Sequence, residues 1–246
     1  MGLTIKGNKV EVDPTHNQLL NTGVNGNPFV QIIGALPDEM YVYSTFQRHM
    51  TPRSLSRDPN IKRGDNCHLI YALKKKDKWH TTFGSVRHLR RNFTEIVAKM
   101  KEDTDKHVTY DALIPMPSGH AISDLYAERI AEIYGCPVLN GVFTKITVQD
   151  ARQQLARVNL PVPEKKKLQN RLQGNGLLSI KVIPTEYRYL FTAVTLQPSQ
   201  IPAGCEKILL VDDLLATGST LLAARDQLLT VIPDAFIDAT CLFSAV

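Results

Sequence analysis

The sequence predicts an α/β protein: a mostly parallel, twisted sheet flanked by helices, with an N-terminal extension. Three observations lead there. Short apolar runs alternate with longer segments whose apolar residues recur at steps of three and four. Several of the runs end in Pro, Gly, Lys or acidic residues, and nearly every residue of 207–211 is apolar, which marks a strand covered on both faces. The chain has 246 residues, 43% of them hydrophobic and 22% charged, enough for a full core and ordinary for a globular protein.

Taken in order, residues 1–66 are the least patterned. Gly, Asn and Pro recur around Asn21 to Pro28, and the runs 29–36 and 40–43 read equally as strands or a short helix. This region is expected to be an extension or hood-like element packed on a core spanning 67–246. Residues 67–73 read as a strand ending at Lys74, Lys75 and Lys76. Phe83, Val86, Leu89, Phe93, Val97 and Met100 mark an amphipathic helix. Residues 110–114 form the next strand, which Pro115-Met116-Pro117-Ser118-Gly119 terminates. Ile122, Leu125, Tyr126, Ile130 and Ile133 mark a second helix, stopped by Gly135 and Pro137, and Val138 and Leu139 begin another strand. Residues 147–176 read as a long exposed basic segment. Runs 180–183 and 189–196 read as strands, 207–211 as a buried strand, 220–232 as a helix stopped at Pro233, and 236–243 as the last strand.

Charge and cysteines narrow the function. Lys plus Arg total 29 against 24 Asp plus Glu, a formal charge of +5, which favours anionic partners without naming one. Cys67, Cys136, Cys205 and Cys241 are scattered without metal-site spacing, which suits reduced thiols. Residues 1–13 lack the apolar core of a signal peptide, and no apolar run is long enough to cross a bilayer. A cytoplasmic protein with no membrane partner is the expectation.

On a parallel sheet, ligands gather beyond the carboxyl ends of the strands, so the residues after each run become candidates: Lys74 to Lys76, Pro115 to His120, and Asp212 to Thr220. The last is the most informative. A buried strand delivers Asp212 and Asp213, and the turn Ala216-Thr217-Gly218-Ser219-Thr220 opens a helix. Backbone N–H groups, hydroxyls and a helix N-terminus there suit a phosphate, while paired carboxylates suit the vicinal hydroxyls of a ribose.

These residues carry a resemblance. All thirteen positions from Ile208 to Thr220 fit the phosphoribosyl-diphosphate (PRPP) motif of type I phosphoribosyltransferases. The similarity extends more weakly over 67–246, and the order of parts is most like the ComF-like branch. The resemblance implies that Asp212 and Asp213 contact the ribose hydroxyls and serve the catalytic step, while Ala216, Thr217, Gly218, Ser219 and Thr220 hold the 5-phosphate. Lys74, Pro117, Ser118, Gly119 and His120 would face the pyrophosphate, and Arg152, Arg157 and Lys165 would belong to a flexible loop that closes over the site. It further implies transfer of 5-phosphoribosyl from PRPP to a nitrogen acceptor, such as a nucleobase, with release of pyrophosphate. Mg²⁺ would be held through substrate, with Asp212 and Asp213 as the nearest carboxylates and no dedicated metal site, and the chain would form a homodimer. Tyr187, Tyr189 and Phe191 are aromatic candidates for the acceptor pocket. Two departures stand out: residues 1–66 hold no cysteine, where ComF proteins often carry a zinc module, and Ala121-Ile122-Ser123-Asp124 replaces a basic stretch after the pyrophosphate loop. A non-catalytic PRPP- or nucleotide-sensing module, linked to nucleic-acid metabolism, is therefore the alternative reading. Direct nucleic-acid binding lacks support, because 147–176 contain no aromatic residue.

Overall fold

A six-stranded sheet organises the chain in the computed structural model, which describes residues 1–49, 68–76 and 78–245. Its strands are β3 (Leu20–Asn21), β4 (Phe29–Ile33), β5 (Met40–Arg48), β7 (Ala112–Pro115), β10 (Lys207–Leu214) and β11 (Phe236–Phe243). The spatial order is β3-β5-β11-β10-β7, with β4 also paired to β5. The pairs β5–β11, β11–β10 and β10–β7 are parallel, whereas β3 and β4 run antiparallel along one edge. The fold is α/β, with helices on both faces of a mainly parallel sheet.

Alternation along β10 explains the two faces. Leu209 and Val211 pack with α2 (Phe83–Asp105) and α3 (Ile122–Tyr134), whereas Ile208 and Leu210 pack with α6 (Ser219–Val231). The helices end where the sequence says they should. Thr82 Oγ1 accepts the Ser85 N–H at 3.2 Å to cap α2, and Gly135, at φ 74°, closes α3 in the left-handed conformation. A second, three-stranded sheet joins β1 (Gly2–Lys6), β2 (Lys9–Asp13) and β6 (His80–Thr81).

Several expectations change. The division expected at residue 66 falls across the central sheet, because β5 lies before it and pairs in parallel with β11. Residues 40–48 are part of the core, since an unpaired apolar strand beside β11 would leave its ladder unsatisfied. The boundary residues 66 and 67, together with Val246, lie outside the described residues. So does Cys67, the first residue of the run read as a strand. The rest of that run is a helix, α1 (His68–Leu73). A short all-apolar run does not distinguish the two, and here Leu69, Ile70 and Ala72 bury together in the core. Lys75, at φ 51°, ends α1 in the left-handed region, with its N–H donating to Ala72 O and that of Lys76 to Tyr71 O.

Residues 147–176 are likewise not one exposed loop. They form α4 (Val148–Arg157) and α5 (Val162–Arg171), inserted between the antiparallel strands β8 (Phe143–Lys145) and β9 (Val194–Leu196). Ala151, Leu155, Leu168, Leu172, Ile183 and Phe191 give residues 146–193 an apolar core of their own. Runs 180–183 and 189–196 contain 3-10 turns, at Ile180–Val182 and Thr185–Leu190, and only β9 is a strand. Val138 makes a single parallel bridge to Leu113 rather than a full strand. Among the described residues Cys136, Cys205 and Cys241 are free thiols, and no helix is long and apolar enough to cross a membrane.

Candidate functional site

The site grows from the divergence of two neighbouring strands. β7 and β10 lie in parallel register, with Pro115 opposite Val211. From β7 the chain passes through residues 116–121 into α3 and on to Val138, which bridges the outer side of β7. From β10 it passes through 215–218 into α6 and on to β11, on the other side. Loops that leave adjacent strands in opposite directions open a crevice above their carboxyl ends.

Asp212 and Asp213 stand at this crevice inside β10, which continues past Val211 to Leu214. Consecutive strand residues leave on opposite faces, and the two carboxylates acquire different partners. Asp213 forms an ion pair with Lys74, the two side chains only 10% and 12% exposed. The turn that closes α1 brings Lys74 to this point. Asp212 Oδ1 accepts the N–H of Asp213 at 2.8 Å. Burial, and then the adjacent Asp213 carboxylate, raise the Asp212 pKa to about 7, against the opposing pull of that N–H, Lys74 and Lys145.

The turn into α6 follows directly. Gly218 sits at φ 73° and ψ −5° at the N-cap of α6, and a Cβ there would lie 2.7 Å from Ile33 Cδ1. Glycine is thus required both by conformation and by the close approach of β4. No side chain caps α6, so the N–H groups of its first turn stay available to a ligand. Thr217 Oγ1 and Ser219 Oγ lie 3.0 Å apart on the same turn. Arg48, buried at the end of β5, donates to Ser244 O and, at 3.2 Å, to Leu215 O, tying the start of the turn to the sheet.

Across the crevice, Met116 donates its N–H to Val211 O at 2.7 Å, and Ser118 Oγ accepts the His120 N–H at 3.3 Å. Desolvation, then the charges of Lys76 and Lys74, lower the His120 pKa. The imidazole is thus biased toward its neutral form beside a cationic mouth.

A cleft of about 170 Å³ gathers Lys74, Pro117, Ser118, Asp212, Asp213 and Thr220. Gly119 and His120, and Ala216 to Ser219, flank it on the two loops, and Ser219 also borders a second cleft beside Tyr189. Three further polar side chains line the main cleft: Lys145 at the end of β8, and Ser179 and Lys181 from the inserted segment. None of them was a candidate from sequence. Lys145 carries the signal that picked out Lys74, a lysine at a strand end, while Lys181 lies in an irregular turn with no such signal. A larger apolar groove of about 510 Å³ runs between α2 and α3 and holds none of the acids, these lysines or the two loops. The smaller cleft has the converging charges that chemistry requires.

Two of the three flexible-loop candidates hold the inserted segment together. Arg152 Nε donates to Leu172 O at 2.9 Å, and Lys165 Nζ donates to Ala156 O and Val158 O at 3.0 and 3.1 Å, closing the end of α4. Arg157 is exposed at the last position of α4. None of the three lines the cleft. Arg152→Ala is expected to lower thermal stability by about 1 kcal/mol while leaving anion affinity within twofold, which paired melting and phosphate titrations would check. Of the aromatic candidates, Phe191 is buried in the core of the inserted segment, Tyr187 packs against that core, and Tyr189 is exposed beside the second cleft.

The raised Asp212 pKa has a measurable consequence. Between the ordinary carboxylate value of 3.8 and about 7, the folded protein holds this proton more tightly than the unfolded chain does. Stability therefore falls as pH rises through that window, by at most about 1.4 kcal/mol per unit. Asp212→Asn should remove this slope, and denaturant melts of both proteins from pH 4 to 8 would detect it.

No protein-family model matches this chain, and no curated protein matches it.

Proposed function

We propose that this cleft binds 5-phosphoribosyl diphosphate and transfers the 5-phosphoribosyl group to a nitrogen acceptor. One observation carries the reading: an acid pair inside β10 runs directly into a left-handed glycine turn and an uncapped helix N-terminus, at the crevice between β7 and β10. Acceptors for a vicinal diol and donors for a phosphate are thereby spaced along one short stretch of chain.

In this reading Ala216 to Thr220 hold the 5-phosphate, and Asp212 and Asp213 accept the ribose 2- and 3-hydroxyls. Residues 117–120 and Lys74 face the diphosphate. The new bond joins the acceptor nitrogen to ribose C1 as the C1–O bond to diphosphate breaks, and that electron pair leaves with pyrophosphate. Asp212, with its raised proton affinity, receives the proton lost by the acceptor. Positioning and charge stabilisation supply the remaining rate enhancement.

The donor set suits Mg²⁺. Two carboxylates offer hard oxygen ligands, and phosphate oxygens and water would complete the shell. Bound there, the ion would neutralise the diphosphate, with Asp212 as the nearest unpaired carboxylate.

The test is a PRPP-consumption screen across nucleobases, comparing the wild type with the Asp212→Asn/Asp213→Asn double variant. Turnover with one base, lost in the variant, is the expected result. Magnesium-dependent PRPP binding without consumption would leave a sensing module instead. Unchanged PRPP binding in the double variant would place the site elsewhere.

A further inference from the structure

The inserted segment concentrates the protein's charge. Residues 146–193 contain eight Lys and Arg against three Asp and Glu, a net +5, equal to the formal excess of the whole chain. One edge of this segment, Leu178 to Lys181, reaches the cleft, as do Ala193 and Val194 at its return to the sheet. Lys145 stands at the other junction, the end of β8. The wall so formed is apolar in Leu178, Ile180 and Val194 and cationic at Lys145 and Lys181.

The two lysines differ from Lys74. Lys74 is engaged by Asp213, whereas neither Lys145 nor Lys181 forms an ion pair among the described residues. Nor does the donor require them. In the reading above, its 5-phosphate is met by 216–220 and its diphosphate by 117–120 and Lys74, both on the β7–β10 side. An apolar wall with cationic tips is complementary to a flat ring bearing a negative group.

We propose that Lys145 and Lys181 bind a ring carboxylate on the acceptor, so that the acceptor class is carboxylated nitrogen heterocycles rather than neutral nucleobases. The proposal rests on the phosphoribosyl-transfer reading of the same cleft. The apolar wall covers the ring faces, and the two ammonium groups meet the carboxylate. Preference over neutral bases follows, because a neutral ring offers no negative group to either ammonium.

Calorimetric titration of the full chain with uracil, uracil-6-carboxylate and magnesium pyrophosphate tests this without any turnover. Each ring is titrated with and without ribose 5-phosphate. The wild type should bind the carboxylate at least about tenfold more tightly than uracil, the effect of one charge-assisted contact. Lys181→Ala and Lys145→Ala should each reduce that preference, and the double variant should abolish it, with pyrophosphate affinity held within about twofold and unchanged melting temperatures. Equal binding of the two rings by the wild type overturns the proposal. So does a preference that survives in the double variant, and so does a loss that falls on pyrophosphate instead, which would assign the lysines to the donor. Failure of the donor reading shows separately, as PRPP binding that survives Asp212→Asn/Asp213→Asn while the carboxylate preference persists.

Discussion

Replacing Asp213 with alanine is expected to cost about 3 kcal/mol of folding stability and to abolish PRPP binding. The stability loss comes from Lys74, whose ammonium group would be left without its carboxylate in a place where its side chain is only 12% exposed. Breaking a buried pair from one side costs about 3–5 kcal/mol, whereas replacing both partners by apolar residues is often neutral; the residual exposure here argues for the lower end. The double variant Lys74→Met/Asp213→Leu should therefore recover most of the denaturant midpoint lost by Asp213→Ala, yet still fail to bind PRPP. That split separates structural from binding roles. An Asp213→Ala protein with the wild-type midpoint would show that the pair does not hold α1 against β10.

The second large effect is expected at Gly218. Alanine there meets two independent penalties. The left-handed backbone at φ 73° costs an L-residue about 1–2 kcal/mol, and the added Cβ would lie 2.7 Å from Ile33 Cδ1. Relief requires either β4 or the turn to move. Because the turn ends in the open first turn of α6, a shift there misaims its N–H groups. Gly218→Ala should thus weaken phosphate binding more than it lowers stability. Adding Ile33→Ala should restore part of the stability by removing the contact, but not the part due to φ. Phosphate affinity measured by calorimetry beside a thermal melt distinguishes the two contributions. Equal losses in both would mean that the turn has no special role in binding.

Local signals were legible where periodicity and punctuation agreed. Steps of three and four from Phe83 to Met100, and again from Ile122 to Ile133, correspond to α2 and α3, and Gly135 ends α3 as its position suggests. The run at 236–243 is β11, an interior strand of the sheet with seven of eight residues buried. Of the motif residues, Asp212, Asp213 and Thr220 line one cleft. His68–Leu73 reads as a strand but is a helix, because so short a run shows no clear period. Residues 147–176 failed because the charges of Arg152, Lys165 and Lys167 masked a sparse helical core of Ala151, Leu155, Leu168 and Leu172. β5 was undervalued because its partner, β11, lies about 200 residues further on, and no local pattern reports a pairing at that distance.

The division between the two levels follows from the range of the forces. The α/β alternation and the apolar strand that carries Asp212 and Asp213 are local properties, since each depends on a few consecutive residues and their backbone preferences. The closed fold pairs Lys74 with Asp213, ties the turn down from Arg48 at Leu215, and brings Lys145 and Lys181 to the same cleft. The two contacts join residues 139 and 167 positions apart, and the shared cleft brings together two lysines 36 apart, through burial and charge that exist only once the sheet has closed around them.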